Sequence, residues 1–227
     1  MVIVLQGRIA SERLPGKGYF TFFGETIWER MCRIARAVHG ADRVIFATGS
    51  NPQNRILEPL IAAQGVQWFV GDEDNVLQRY VDATADCDDD YLVRITCDNY
   101  LVQPDMVEGV VDAVLDAGAD YGYIEPLSHF AGEVVRIDAL RDCLRSGPSA
   151  LAREHVTYDI RSSGSYKTVA LPADFGGLDH TRRLTLDKID DLMVLKRLEQ
   201  QHPGLEALRC GEVVRRVGAL QKEPVSS

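Results

Sequence analysis

The chain has 227 residues, about one and a half times a typical domain. Its hydrophobic content of 45% and charged content of 26% exclude a disordered chain, a fibrous repeat and a disulfide-dense mini-protein. With 34 acidic residues against 25 basic ones, the net charge is −9. That opposes nucleic acid or anionic lipid as a partner, since both need a basic face, but leaves room for a small anionic substrate.

The start, MVIVLQGRI, lacks the basic head and long apolar stretch of a signal peptide. No apolar run approaches the ~18–20 residues of a membrane helix. The five cysteines are scattered, with no CxxC pair, so neither a thiolate zinc site nor a disulfide framework is expected. A reducing cytoplasm is the expected location.

In chain order, Val2–Gln6 is a continuous apolar run, as in a strand buried on both faces. Ile27–Val38 has helical spacing, and Arg43–Thr48 reads as a strand. A helix follows over Pro52–Gln64, a strand over Val66–Val70 and a helix over Asn75–Ala85. Tyr91–Thr96 is a strand and Asp105–Ala117 a helix. This rhythm implies parallel strands joined by crossover helices. After residue 120 it loosens. Short strands are expected over Tyr121–Ile124, Glu133–Ile137, Lys167–Leu171 and Arg183–Leu186, and helices over Ser149–Arg161, Lys188–Gln201 and 211–220. The expected fold class is α/β, a Rossmann-like, mostly parallel sheet flanked by helices with a small mixed β extension. Residues 1–227 read as one domain, with 120–165 as a subregion for acceptor binding or dimerisation.

Chemistry in such sheets sits at the carboxyl ends of the strands. The loop after the first strand, GRIASERLPGKG, gathers Arg8, Arg13 and Lys17 among three glycines. Glycines let backbone N–H groups approach an anion, and cations neutralise it. It is neither GxGxxG nor a P-loop. Read alone, it is either a phosphate cradle or a solvated loop. The Asp88-Asp89-Asp90 run precedes a strand and so falls at the opposite edge, as a solvated turn.

GRIASERLPGK resembles the ARxxSxRLPGK signature of the SpsF-like cytidylyltransferases, relatives of the CMP-sialic acid and CMP-Kdo synthetases. Four further blocks are similar in the same order: GDEDNVLQRY (71–80), RITCDNYLVQP (94–104), REHVT (153–157) and RLTLDKIDDL (183–192). The resemblance spans roughly residues 2–200. It implies transfer of CMP from CTP to a small acidic sugar or phosphorylated acceptor, with release of pyrophosphate, in surface polysaccharide or glycoconjugate precursor synthesis. A homodimer is implied too.

Nucleotidyl transfer needs a neutralised triphosphate, a metal between phosphate oxygens and an acceptor in line with the leaving group. Arg8, nearest the strand end, is assigned to the phosphates at the reaction point, Lys17 to the outer phosphates, and Arg13 to the same polyphosphate. Leu5, Gln6 and Gly7 are expected along the nucleoside through their backbones. Asp98 and Asp187 are the magnesium carboxylates by resemblance; as plain structure they are a turn cap and a helix N-cap. Asn75 reads the base or ribose, or caps a helix. Arg79 is a ligand contact or a surface cation. Glu154, His155 and Arg183 are implied at the acceptor. Three departures stand out: Cys97-Asp98-Asn99-Tyr100 replaces G-D-C-P, Asn75 replaces an Asp, and the turn after Asp187 is remade. None removes a phosphate cation or a metal carboxylate. A nucleotide-sugar-dependent glycosyltransferase of GT-A type and a non-catalytic nucleotide-binding partner are the rival readings.

Overall fold

The computed structural model describes residues 1–125, 128–172, 184–205 and 210–221, without the side chains of 128, 210 and 218–221. The apolar run Val2–Gln6 forms β1, and it is central. It pairs in parallel with β4 (Arg43–Gly49) on one side and β6 (Tyr91–Thr96) on the other. Residues Val2 to Leu5 have no exposed surface, as a two-sided burial requires. β5 (Gln67–Gly71) extends the parallel half beyond β4.

Two short strands, β2 (Thr21–Phe22) and β3 (Glu25–Thr26), form a separate hairpin. Its turn carries Phe23 at φ 52° and Gly24 at φ 82°, the positive-φ pair that tight hairpins need. The hairpin is absent from the sequence expectation because two-residue strands have no readable alternation.

The other half of the sheet is mixed. β8 (Glu133–Arg136) lies antiparallel between β6 and β7 (Tyr121–Glu125), and β9 (Thr168–Pro172) runs parallel to β7. The full order is β5-β4-β1-β6-β8-β7-β9. This is the expected α/β class, with the mixed extension continuous with the main sheet.

Helices cover both faces. The face carrying Ile3, Leu5 and Phe46 packs with α1 (Ile27–Ala37), α2 (Glu58–Ala63), α4 (Pro104–Ala117), α8 (Ile189–Gln201) and α9 (Cys210–Gln221). The face carrying Val2, Val4 and Ile45 packs with α3 (Val76–Ala83), α5 (Ile137–Arg145), α6 (Ala150–His155) and α7 (Tyr158–Ser162). Strand alternation puts Gln6 on the α3 face.

Three expected elements are corrected. The helix over Pro52–Gln64 is a 3₁₀ segment, Pro52–Leu57, followed by α2. Pro59 has no N–H to donate into a continuous α-helix, so the helix restarts there. The helix over Ser149–Arg161 breaks into α6 and α7 at Val156, whose φ is 50°. The Val156 side chain is fully buried, and the Thr157 N–H donates to the His155 carbonyl in a tight turn. Of the strand over Arg183–Leu186, the described residues 184–186 form no strand. Leu186 N–H instead donates to the Asp98 carbonyl (2.9 Å), tying this segment to the loop after β6.

Candidate active site

Gln6, Ala47 and Thr96 are in register, so the loops after β1, β4 and β6 leave the sheet side by side. They open into a cleft of about 880 Å³. Gln6, Gly7, Arg8, Arg13, Lys17, Asp98, Glu154, His155 and Asp187 all line it. Leu5 is buried beneath.

Trp28 of α1 lies under the basic loop, which explains two of its glycines. A Cβ on Gly18 would fall 1.8 Å from the indole, and one on Gly7 2.5 Å from it. Gly16 sits at φ 67° and its N–H closes the loop on the Ile9 carbonyl (3.1 Å). Cradle and helix therefore pack as one unit.

Lys17 Nζ lies 2.9 Å from Asp98 Oδ2 and 3.0 Å from Asp187 Oδ1. Arg13 adds a 3.1 Å contact to Asp187 Oδ2. Burial works against the Asp98 carboxylate, but the Lys17 ammonium outweighs it and holds its pKa below the ordinary value. Asp187 is not the N-cap of α8; that position is Lys188. Asp191 Oδ2 accepts the Asp187 and Lys188 N–H groups, both at 2.9 Å, so the Asp187 carboxylate faces the cations. Arg8 is exposed and, among the described residues, has no hydrogen bond or ion pair.

Asp98 and Asp187 converge on one ammonium, and two converging carboxylates suit magnesium, which completes its shell with water and phosphate oxygens. Among the described residues no group of three or more His, Cys, Asp or Glu converges.

On the α3 side, Arg79 is buried and donates to the Asp72 carbonyl (2.8 and 2.6 Å) and the Glu73 carbonyl (2.8 Å). It is thus no surface cation; it clamps the loop after β5. Glu73 accepts Asn51 N–H (2.8 Å), and Asn54 bridges Ile9 N–H (2.9 Å) and the Gly49 carbonyl (3.0 Å). These bonds stitch three strand-end loops into one rim. Asn75 uses its side-chain oxygen to cap α3 through Gln78 N–H (3.1 Å).

Beside α3 on the same face of the sheet lies α6, where Arg153, Glu154 and His155 are exposed along the cleft. Arg183 and His180 lie outside the described residues. Cys97 is buried, and burial pushes its thiol pKa well up. The Asp88–Asp90 run lies at the far edge; Asp89 pairs with the terminal amine of Met1 (2.6 Å).

One cluster, which reaches the cleft through Arg94 alone, has no counterpart in the sequence expectation. Arg94, from the middle of β6, pairs with Glu133 of β8. Glu133 also accepts from the Tyr121 hydroxyl and from Thr157 Oγ1 (3.0 Å). Burial opposes the Glu133 carboxylate, yet Arg94 and these donors keep its pKa below the ordinary value. The available signal was an arginine inside the apolar strand YLVRIT, since a buried cation demands a partner. The partner, 39 positions away, is not readable from spacing.

A glycine-lined cationic loop, a pair of acidic groups placed after β6 and before α8, and a mostly parallel sheet define a nucleotidyltransferase of Rossmann-like fold. A profile of the cytidylyltransferase family matches residues 1–216, and the chain belongs to that family: it is a CTP-dependent nucleotidyltransferase. The spore coat polysaccharide biosynthesis protein SpsF of Bacillus subtilis is 31% identical over 209 residues, covering 88% of this chain and 87% of SpsF. A solved cytidylyltransferase from Leptospira borgpetersenii superposes with a TM-score of 0.85 at 23% identity, covering 100% of this chain and 99% of that one. A CMP-2-keto-3-deoxy-manno-octonic acid synthetase solved with CTP superposes with a TM-score of 0.67 at 17% identity, over 88% of this chain and 98% of that one. Among the described residues, no helix is long and apolar enough to cross a membrane.

Proposed function

We propose that this enzyme transfers CMP from CTP to a small acidic sugar, with magnesium as the cofactor, in the synthesis of a surface polysaccharide precursor. The observation that carries the reading is the Lys17 ammonium set between Asp98 and Asp187 at the mouth of the glycine loop. The resemblance to SpsF supports the polysaccharide role.

In this reading Arg8 and Arg13 neutralise the triphosphate, and Lys17 exchanges its carboxylate partners for phosphate oxygens. Asp98 and Asp187, so released, would hold the magnesium. When bound, the metal supplies charge stabilisation to the phosphate oxygens and orients the leaving group. An acceptor hydroxyl oxygen then bonds to the α-phosphorus and gives up its proton to water, as the bond to the β-phosphate bridging oxygen breaks and pyrophosphate leaves with that electron pair. Arg153, Glu154 and His155 form the acceptor wall. Residues 120–165 serve acceptor binding or pairing of two copies, and the enzyme works in the cytoplasm beside its CTP supply.

The test is pyrophosphate release from CTP and Mg²⁺ with a panel of 2-keto sugar acids. Asp98→Asn should reduce turnover about 100-fold or more, the scale of losing one preorganised electrostatic contact. Absence of CTP binding by calorimetry, with metal present, would overturn the reading. Sugar release from a nucleotide-sugar instead would favour a glycosyltransferase.

A further inference from the structure

The Gln6 side chain is held in one orientation by groups that can only be satisfied one way round. Its Oε1 accepts from Arg94 Nη2 at 3.2 Å and lies 3.4 Å from the Tyr80 hydroxyl. A guanidinium donates and cannot accept, so the carboxamide oxygen, not the nitrogen, must face Arg94. Arg94 is itself fixed by Glu133, and Glu133 by Tyr121 and Thr157. Tyr80 is fully buried in the core beneath α3. The other end of the carboxamide, Nε2, has no protein partner among the described residues, and Gln6 lines the cleft.

We propose that Gln6 Nε2 is a substrate-reading donor to an oxygen of the bound nucleotide, with Arg94 and Tyr80 as positioning residues that aim it. This rests on the nucleotide-transfer reading of the cleft and adds a residue role to it. Gln6 directly precedes the Gly7–Arg8 turn of the phosphate cradle, which places the amide beside the nucleotide. Arg94 lines the same cleft but is no anion hook, because Glu133 already neutralises it. The floor of the cleft thus offers a neutral donor of fixed direction, where a free arginine would offer only charge. Fixing the amide in advance removes an ordering cost from binding.

The test uses MgCTP calorimetry and thermal melts on the full chain, with Gln6→Met, Tyr80→Phe and the double variant. Gln6→Met keeps the length and neutrality of the side chain and removes the donor. It should weaken MgCTP binding about ten-fold, the worth of one hydrogen bond. Tyr80→Phe removes one aiming contact from a residue that does not reach the cleft, and should weaken binding about three-fold. The double variant should match Gln6→Met alone, because Tyr80 acts through Gln6. Should Gln6→Met shift only the melting temperature, Gln6 is structural and the inference falls. Additive losses in the double variant would show that Tyr80 does not act through Gln6, and would overturn the positioning role. If Gln6→Met does not fold, the cycle is read from Tyr80→Phe: unchanged affinity there overturns the inference. Wild-type protein that fails to bind MgCTP but binds another nucleotide overturns the CTP reading alone, and the same variants are then compared on that nucleotide. Wild-type protein that binds none overturns both.

Discussion

Glu133 is a carboxylate that the surrounding structure keeps ionised against its burial. Its folded pKa lies below the ordinary 4.5, because Arg94, Tyr121 and Thr157 outweigh desolvation. A depressed carboxylate pKa adds stability that is complete above the unfolded value and is lost as pH falls through the folded one. Glu133→Gln should therefore cost about 3 kcal/mol at pH 7, the low end for breaking a buried pair. The gap to wild type should narrow below pH 4.5. Urea unfolding at several pH values between 7 and 3.5 checks this; a constant gap would show that Glu133 is not the titrating group. Lys17 poses a different residue-scale question, since its ammonium occupies the place between Asp98 and Asp187. Lys17→Met removes that internal counter-ion. It should raise the affinity of the nucleotide-free protein for Mn²⁺, read by electron paramagnetic resonance, while lowering MgCTP affinity by calorimetry.

At the scale of elements, the basic glycine loop after β1 and α1 are coupled through Trp28. Its indole is 1% exposed and fills the space where Cβ atoms on Gly7 and Gly18 would lie. Gly18→Ala should cost about 1–3 kcal/mol by overpacking and should weaken MgCTP binding by displacing Lys17. Adding Trp28→Leu should return part of the stability, which thermal melts would show. The same packing makes Trp28 a reporter: in a Trp68→Phe background, its emission should change on MgCTP binding. Trp68 stacks flat on Phe46, with centroids 5.5 Å apart, so phenylalanine conserves that contact. The loop rim was partly legible in the sequence. The cations among the glycines of the first loop were plain, since composition contrasts locally with an acidic chain. The Asn54 bridge and the Arg79 clamp were not, because each joins loops whose adjacency depends on strand order. The α6–α7 break was equally hidden: helical spacing continues through Val156, yet Val156 is buried at positive φ, and the next residue, Thr157, donates to Glu133 on a distant strand.

For the whole molecule, binding that favours the folded state adds RT ln(1 + [L]/Kd) to stability. MgCTP at about 100 times Kd should add ~2.7 kcal/mol, or about 5–10 °C in melting temperature for a chain of this size. No shift with MgCTP, and a shift with another nucleotide, would assign the cleft differently. Against the net charge of −9, Arg8, Arg13 and Lys17 are a local gathering of cations, and in the proposed reading they draw a polyphosphate to one place on a repelling surface.

By itself the sequence determined the parallel half of the sheet, the helices between its strands, the cationic loop after β1 and the acidic residues after β6 and before α8. Those features are local: periodicity, turn chemistry and position at a strand end are all written within a few residues. Only the tertiary structure decided that β8 enters the sheet antiparallel beside β6, bringing Glu133 to Arg94. It alone brought Lys17 to Asp98 and Asp187, 81 and 170 positions away. It also decided which end of Gln6 faces the cleft. The reason is common to all three. Side chains distant in sequence meet only once strand order is set, and strand order follows from burying both faces of one sheet rather than from any local pattern.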